Sequence, residues 1–407
     1  MPYHPVLFRN ERPLPAPTRR FLVPDPHPAP DARMSDAQVD IVFYTRQLHN
    51  GGVDRVVFNL AEEFLARGLV PVILVDLDNI HSPFRALIPP GIRYEVLDAR
   101  DPVTRLLKLA AYFRRVRPKA VMCTSFGFPN LYAVVARRVT GLPMHLMLTE
   151  HCFPSVDRAA PRFWQSRYWF FPLAHHAYPQ ADSIVAVSRG TAQDLANVLD
   201  IPARTIACIY NPIISDAMIA ASREPVAHRW FAASDVPVII AVGRLEPQKN
   251  FALLIRAFAA LRDTRIARLM ILGDGGERAM LEELVRELDL DDDVALPGFA
   301  ANPHAYVAKA ALLVLSSDFE SLANVVIEAM AVGTPVIATD CPSGPSEALA
   351  GGAFGTLVPV GDVERLTVAM HRVLDAPPPP VPDTWLDQFT TRHAADRYLE
   401  RLLPSDA

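Results

Sequence analysis

LLVLSSDFESLANVVIEAMAVGTPVIATDCPSGPSEAL, residues 312–349, decides the fold of this chain. With Ala311 it opens on a short apolar run, the length of a buried strand. Ser316, Ser317 and Asp318 close the run, and Glu320 follows. Eight residues later, Glu328 sits within Val325, Val326, Ile327, Ala329 and Met330, which reads as a buried helix. Gly333-Thr334-Pro335 stops that helix, and Val336-Ile337-Ala338 begins another strand. The unit is therefore strand, loop, helix, strand, with one carboxylate in the loop and one on the helix. A helix N-terminus offers free N–H groups and partial positive charge, which suits a phosphate. A carboxylate beside it accepts hydrogen bonds from the adjacent hydroxyls that sugars and ribose present. Together these point to a sugar nucleotide. Taken alone, two glutamates eight apart are more often solvated surface charges. The apolar strand before, the apolar helix around Glu328 and the glycine turn after it argue for a site.

The bulk numbers allow this. A chain of 407 residues has room for two domains, each burying its own core. It is 50% hydrophobic and 21% charged, as an ordinary globular protein is. A net charge of −5 gives no general case for nucleic-acid binding. No apolar run approaches the ~20 residues of a membrane-spanning helix. Cys123, Cys152, Cys208 and Cys341 lie far apart without CxxC or metal-ligand spacing, and read as free thiols in a reducing, cytoplasmic compartment.

Glu320 to Glu328 resembles the E-x7-E motif of retaining glycosyltransferases of family 4, which have the GT-B fold. The continuation EAMAVGTPVIATDCPSGPSEAL is similar to the same family's extended signature. The resemblance implies an α/β chain of two Rossmann-like parallel-sheet domains facing across a cleft. It places hydroxyls of the donor hexose on Glu320 and the nucleotide ribose on Glu328. Ser321, Leu322, Ala323, Asn324 and Val325 would complete that loop, where the family more often has glycine or proline near Ala323.

Residues 1–38 are rich in proline and arginine and lack apolar periodicity, so they read as a disordered extension. Met34, just before the first strand, is a candidate natural start. Residues 39–214 form the first domain. Ile41 to Tyr44 reads as a strand running to Gly51-Gly52, followed by a helix with apolar residues at Val53, Val56, Val57, Leu60, Ala61 and Phe64. The glycine pair is a tight turn or a loop that approaches a ligand closely; the family resemblance favours the donor phosphates and the acceptor. Arg105 to Lys119 reads as a basic helix, either core-packed with a solvated cationic face or docked on anionic lipid. Arg158 to Phe171 interleaves arginine with aromatic residues, which suits a core, a membrane-side patch or an acceptor lip. His151 ends the strand Met144–Thr149, where open α/β sheets bind ligands. A lone histidine is more often structural, but this one resembles a family histidine that approaches the transferred sugar.

Residues 215–390 form the second domain, and 391–407 a helix crossing back to the first. After the strand Val238–Val242 come Gly243, Arg244 and Lys249, a fork and a point charge suited to a diphosphate. VGRLEPQKN closely resembles the family's donor-pyrophosphate motif. Phe299 lies in the loop that would cradle the base. Gly351 to Val360 carries a hairpin-like β signal. No Asp-x-Asp metal motif is evident, and two cations can replace a metal here, so no metal or other cofactor is expected. The expected reaction moves a hexose or N-acetylhexosamine from a nucleotide diphosphate sugar, UDP-linked by resemblance, to an acceptor hydroxyl of a lipid-linked or surface glycan. Arg244, Lys249, Glu320 and His151 are the candidate catalytic residues. Two rivals stay open: a UDP-sugar epimerase of similar shape, and an inactive sugar-nucleotide-binding homologue. Peripheral contact with the inner membrane face is one further partner; nucleic acid is not.

Overall fold

A computed structural model of the chain describes residues 38–48, 51–80, 82–124, 127–157, 166–232 and 236–404. The reading of residues 1–37 as a disordered extension, and of Met34 as a start, lies outside the described residues. So does most of the aromatic and arginine run, whose backbone is described from Ser166 and whose side chains from Trp169.

Strands of three to six residues, most of them apolar runs, form two parallel sheets. The first has seven strands in the order β3-β2-β1-β4-β5-β6-β7. They are β1 (Ile41–Thr45), β2 (Pro71–Val75), β3 (Arg93–Val96), β4 (Ala120–Cys123), β5 (His145–Glu150), β6 (Ser183–Ala186) and β7 (Ile206–Cys208). The second has six, in the order β10-β9-β8-β11-β12-β13. They are β8 (Val238–Val242), β9 (Arg268–Leu272), β10 (Val294–Gly298), β11 (Leu312–Leu315), β12 (Val336–Thr339) and β13 (Thr356–Val358). In both sheets the order reverses beside the first strand in sequence. Loops at that switch point open outward from the carboxyl ends, where such sheets bind ligands.

Helices cover both faces, so the central strands are buried on both sides, as parallel sheets require. Val42, Tyr44, Val121 and Leu148 face one core of the first half, and Ile41, Phe43, Ile73 and Met147 the other. The second half repeats the arrangement around Ile239, Leu269 and Val314 on one side and Ile240, Met270 and Leu313 on the other. Edge strand β3 is only partly buried, and its charged letters Arg93 and Glu95 hid it from a reading by apolar runs.

Two expectations are corrected. Gly351–Val360 is not a hairpin: it holds one short strand, β13, pairing parallel with β12 through Ile337↔Thr356 and Thr339↔Val358. A parallel pair needs a crossover, and the short helix Pro345–Ala348 lies within it. The basic helix runs Pro102–Val116, started by Asp101 accepting from Thr104 N at 2.9 Å and ended by Arg117 at φ 46°. Arg105 does not belong to its solvated face, since it is buried against Asp76.

The chain passes between the halves twice, side by side. Ile213 N and Ile214 N both donate to Phe389 O at 3.0 Å. Beyond that crossing, helix Thr391–Leu402 packs on the first half, burying Ala394, Ala395, Tyr398 and Leu402 among Ile41, Phe43 and Phe64. A buried leucine contributes about 2 kcal/mol, so this helix is anchored to the first sheet rather than the second.

Candidate active site

The second half supplies two loops that are zipped together. One follows β8 and carries Gly243, Arg244, Lys249 and Asn250; the other follows β11. Gly273 (φ 147°), just beyond the neighbouring strand β9, lets the first of these loops lie close to it: a Cβ there would lie 1.8 Å from Gly243 O. Asn250 takes a left-handed conformation (φ 45°), caps helix Phe251–Arg262 by accepting from Leu253 N, and donates to Asp318 Oδ1 at 2.9 Å. Ser316 Oγ donates to Lys249 O at 2.8 Å, Asp318 N to Gln248 O at 2.9 Å, and Gln248 Nε2 to Phe319 O at 2.8 Å.

That zipper brings Lys249 Nζ to 2.5 Å from Glu320 Oε1, which also accepts from Ser317 Oγ at 2.6 Å. Thr339 Oγ1 in turn donates to Ser317 O at 2.5 Å. The pair is largely buried, with 18% of the Lys249 side chain and 9% of the Glu320 side chain exposed. Cys341 lies nearby; burial, then the neighbouring Glu320, push its thiol up to about 12 and keep it protonated. Arg244 is exposed and its guanidinium has no protein partner among the described residues. A paired cation, a free one and an oriented carboxylate thus share one loop edge.

Glu328 lies on helix Asn324–Ala331, which starts from Ala323 in the left-handed region (φ 60°), a conformation that residues with a Cβ adopt rarely. His304 Nδ1 stands 3.6 Å from Glu328 Oε2, while His304 Nε2 lies 3.3 Å from Arg55 Nη1 of the first half. A guanidinium only donates, so Nε2 accepts and Nδ1 carries the proton toward Glu328. Burial lowers the His304 pKa against the pull of Glu328. Asn324 Oδ1 accepts from Asn211 Nδ2 at 2.9 Å, and Asn324 Nδ2 fills the space a Cβ on Gly52 would need. Gly51 has open space around it, and Phe299 is 56% exposed beyond β10.

His151, from the first half, lies opposite. Thr149 Oγ1 donates to Cys123 O at 2.8 Å, which spends its only proton. His151 Nε2, 3.0 Å from the same hydroxyl, must therefore donate to it. Nδ1 is left as a buried acceptor without a hydrogen-bond partner among the described residues. Burial holds the imidazole pKa down to about 4, with Asn211 beside it pulling the other way, so the ring is neutral near pH 7. Its carbonyl accepts from Ser321 Oγ at 2.8 Å, which joins the residue after Glu320 to the opposite half.

The structure thus gathers Gly52, His151, Gly243, Arg244, Lys249, Glu320, Ser321, Asn324 and Glu328 along one cleft. Leu322 and Ala323 are buried beneath it. Reading by motif passed over Ser317, Arg55, Asn211 and His304. Ser317 lies within the decisive stretch, but the others come from separate elements and carry no local signal. It also passed over Asp-x-Asp spacing at Asp76-Leu77-Asp78. Asp76 is committed to Arg105 and Tyr44 at 2.6 and 2.7 Å, and Asp78 accepts from Tyr94 at 3.1 Å.

Two parallel α/β sheets whose carboxyl edges face each other with this polar lining define a GT-B glycosyltransferase. Residues 50–216 match the family model Glycosyltransferase Family 4, and residues 223–383 match Glycosyl transferases group 1. The chain belongs to glycosyltransferase family 4 and is a glycosyltransferase. It is 31% identical over 338 residues, 81% of this chain and 88% of the relative, to a Campylobacter jejuni enzyme. That relative is N-acetylgalactosamine-N,N'-diacetylbacillosaminyl-diphospho-undecaprenol 4-alpha-N-acetylgalactosaminyltransferase. The Escherichia coli lipopolysaccharide 1,6-galactosyltransferase is 26% identical over 277 residues, 65% of this chain and 68% of that one. A glycosyltransferase from Rickettsia africae shares the fold at a TM-score of 0.74 and 16% identity, over 90% of this chain and all of that one. Anabaena Alr3699/HepE, solved with UDP-glucose, does so at 0.67 and 20%, over 89% and 95%.

Proposed function

We propose that this chain transfers a hexose or N-acetylhexosamine from a UDP-linked donor to a hydroxyl of a lipid-linked or surface glycan, with retention of anomeric configuration. The observation that carries the reading is the Lys249–Glu320–Ser317 cluster, opened to the cleft beside Arg244, which has no partner among the described residues. In this reading Arg244 forks onto the donor diphosphate and Lys249 adds a point charge, stabilising the negative charge that develops as the diphosphate departs. Glu320, already oriented by Ser317, accepts hydroxyls of the transferred sugar. His151 presents its neutral Nδ1 as a further acceptor. Glu328 holds the ribose, the loop at Phe299 lies by the base, and Gly51-Gly52 bring backbone close to the phosphates and the acceptor. The departing phosphate takes the acceptor proton on the same face. Two cations serve the diphosphate without a metal.

Names of relatives that act on a diphospho-undecaprenol glycan and on lipopolysaccharide support the acceptor class. No helix among the described residues is long and apolar enough to cross a membrane. A peripheral contact fits Trp169 and Leu173, 56% and 51% exposed on helix Ser166–Ala177. The basic helix suits that role less, because its cations are engaged: Lys108 on Leu97 O and Asp98 O, Arg114 on Val139 O, and Arg115 on Glu95.

The test is a thermal-shift panel of UDP, GDP, ADP and TDP, each with Mg²⁺ and with EDTA. A ligand that binds only the folded state raises stability as RT ln(1 + [L]/Kd). UDP is expected to give the largest shift, equal in both conditions and lost in Glu328→Ala. No shift with any nucleotide would overturn the donor site, and a metal-dependent shift would overturn the two-cation reading.

A further inference from the structure

Away from the donor loops, the two halves grip each other again. After β12 the chain turns at Ser343 (φ 64°) and Gly344 (φ 74°), and the short helix Pro345–Ala348 presents Glu347 to the first half. Opposite lies the N-terminus of the eleven-residue helix Arg189–Leu199. The first amides of a helix have no partner within it. Here both carboxylate oxygens of Glu347 accept from Arg189 N at 3.0 Å, and Oε2 from Gly190 N at 3.5 Å. Tyr210 OH donates to Oε1 at 2.8 Å. Charge-assisted bonds of this kind are the strong ones, and only 17% of the Glu347 side chain is exposed.

Gly190 sets how close the halves come. A Cβ at that position would lie 2.5 Å from Ser343 Oγ and 3.0 Å from Ser343 Cα, so any other residue forces them apart. From Ser343 the contact runs on into the cleft. Its hydroxyl lies 2.8 Å from Ser188 Oγ and donates to Ser321 O at 3.0 Å. Ser321 Oγ then donates to His151 O. Glu347 is thus tied, through the backbone from Arg189 to Ser188 and the hydroxyl bonds beyond it, to the residue beside Glu320 and to His151, and the turn at Gly344 itself lies against Glu320.

We infer that Glu347 is a positioning residue: by capping helix Arg189–Leu199 from the other half, it latches the cleft shut and holds His151 in register with Glu320. The consequence for transfer rests on the donor-site reading above; the latch itself does not.

The test compares Glu347→Ala with Gly190→Ala in the full-length chain by hydrogen exchange, without ligand. The two changes lie on opposite halves, and alanine at 190 is helix-compatible, so a shared effect reports closure rather than one misfolded half. Roughly ten-fold or faster exchange is expected in both variants at residues 149–153 and 319–323 as well as at 188–192. Faster exchange confined to 188–192 would reduce Glu347 to a local cap and overturn the latch. Unchanged exchange would overturn it outright. UDP binding by wild type, followed by calorimetry, separates the two readings: its absence sinks the donor site while the exchange result still decides the latch.

Discussion

Asp76 and Glu320 are the same device used in opposite ways. Each is a carboxylate just beyond the carboxyl end of a parallel strand, and each meets a cation, Arg105 at 2.6 Å and Lys249 at 2.5 Å. Asp76 has no exposed side-chain surface and is also held by Tyr44 OH, while the Arg105 guanidinium stacks 5.1 Å from the Tyr132 ring. Burial outweighs these partners and keeps the Asp76 carboxyl above its ordinary pKa. Glu320 and Lys249 stay partly open to the cleft, beside the exposed Arg244. An ion pair at a strand end is therefore no mark of chemistry by itself. What separates a structural pair from a reactive one is whether a substrate reaches it.

The comparison breaks most visibly at Arg105. Arg105→Leu removes the paired cation from a fully buried carboxylate, leaving it on Tyr44 OH, and is expected to cost about 3–5 kcal/mol in urea unfolding. UDP affinity of the folded fraction should not change. A cost below about 1 kcal/mol would mean that the two pairs do not differ as argued.

His151 comes next, because it belongs to both categories. Its folded pKa of about 4 lies below the unfolded value near 6.5. Above pH 6.5 both states are neutral and nothing is lost. As pH falls toward 4, only the unfolded chain takes up the proton, and up to about 3 kcal/mol of stability disappears. In unfolding measured against pH, His151→Gln should flatten the decline between 6.5 and 4. An unaltered slope would count against a neutral buried ring.

At the open pair, the effect should move from stability to turnover. Arg244→Ala and Lys249→Met are expected to lower turnover about 10²-fold or more, equivalent to about 2.7 kcal/mol of barrier. The melting temperature should change far less than in the Arg105 variant. Near-normal turnover of Arg244→Ala would refute its role. The smallest effect belongs to the loop zipper: Asn250→Ala removes a helix cap and the bond to Asp318, at about 1 kcal/mol.

Much of this was legible in the chain. The apolar runs at 41–44, 238–242 and 311–315 read as strands, and the stripe at Val53 to Phe64 as a helix. Burial is a property of each residue's own neighbourhood along a regular element, so periodicity reports it. The motif residues Arg244, Lys249, Glu320 and Glu328 were also visible, by resemblance. The strand at 356–358 was misread as a hairpin because its partner, β12, lies beyond a crossover that local letters do not announce. Arg105 was counted with a solvated face because the carboxylate that buries it is 29 residues earlier.

By itself, the sequence determined the central apolar strands, the helices between them and the chemical character of the groups in their loops, while two parallel sheets facing across a cleft were read from the family resemblance. Hydrophobic burial is non-directional and tolerates approximate placement, so a pattern suffices to specify it. Only the tertiary structure decided which polar groups meet. Lys249 and Glu320 are 71 residues apart, Arg189 and Glu347 158, and Arg55 and His304 249. Hydrogen bonds weaken within a few tenths of an ångström and outside a narrow range of angles. Their partners are therefore chosen by the packing of whole elements, which no single stretch of letters contains.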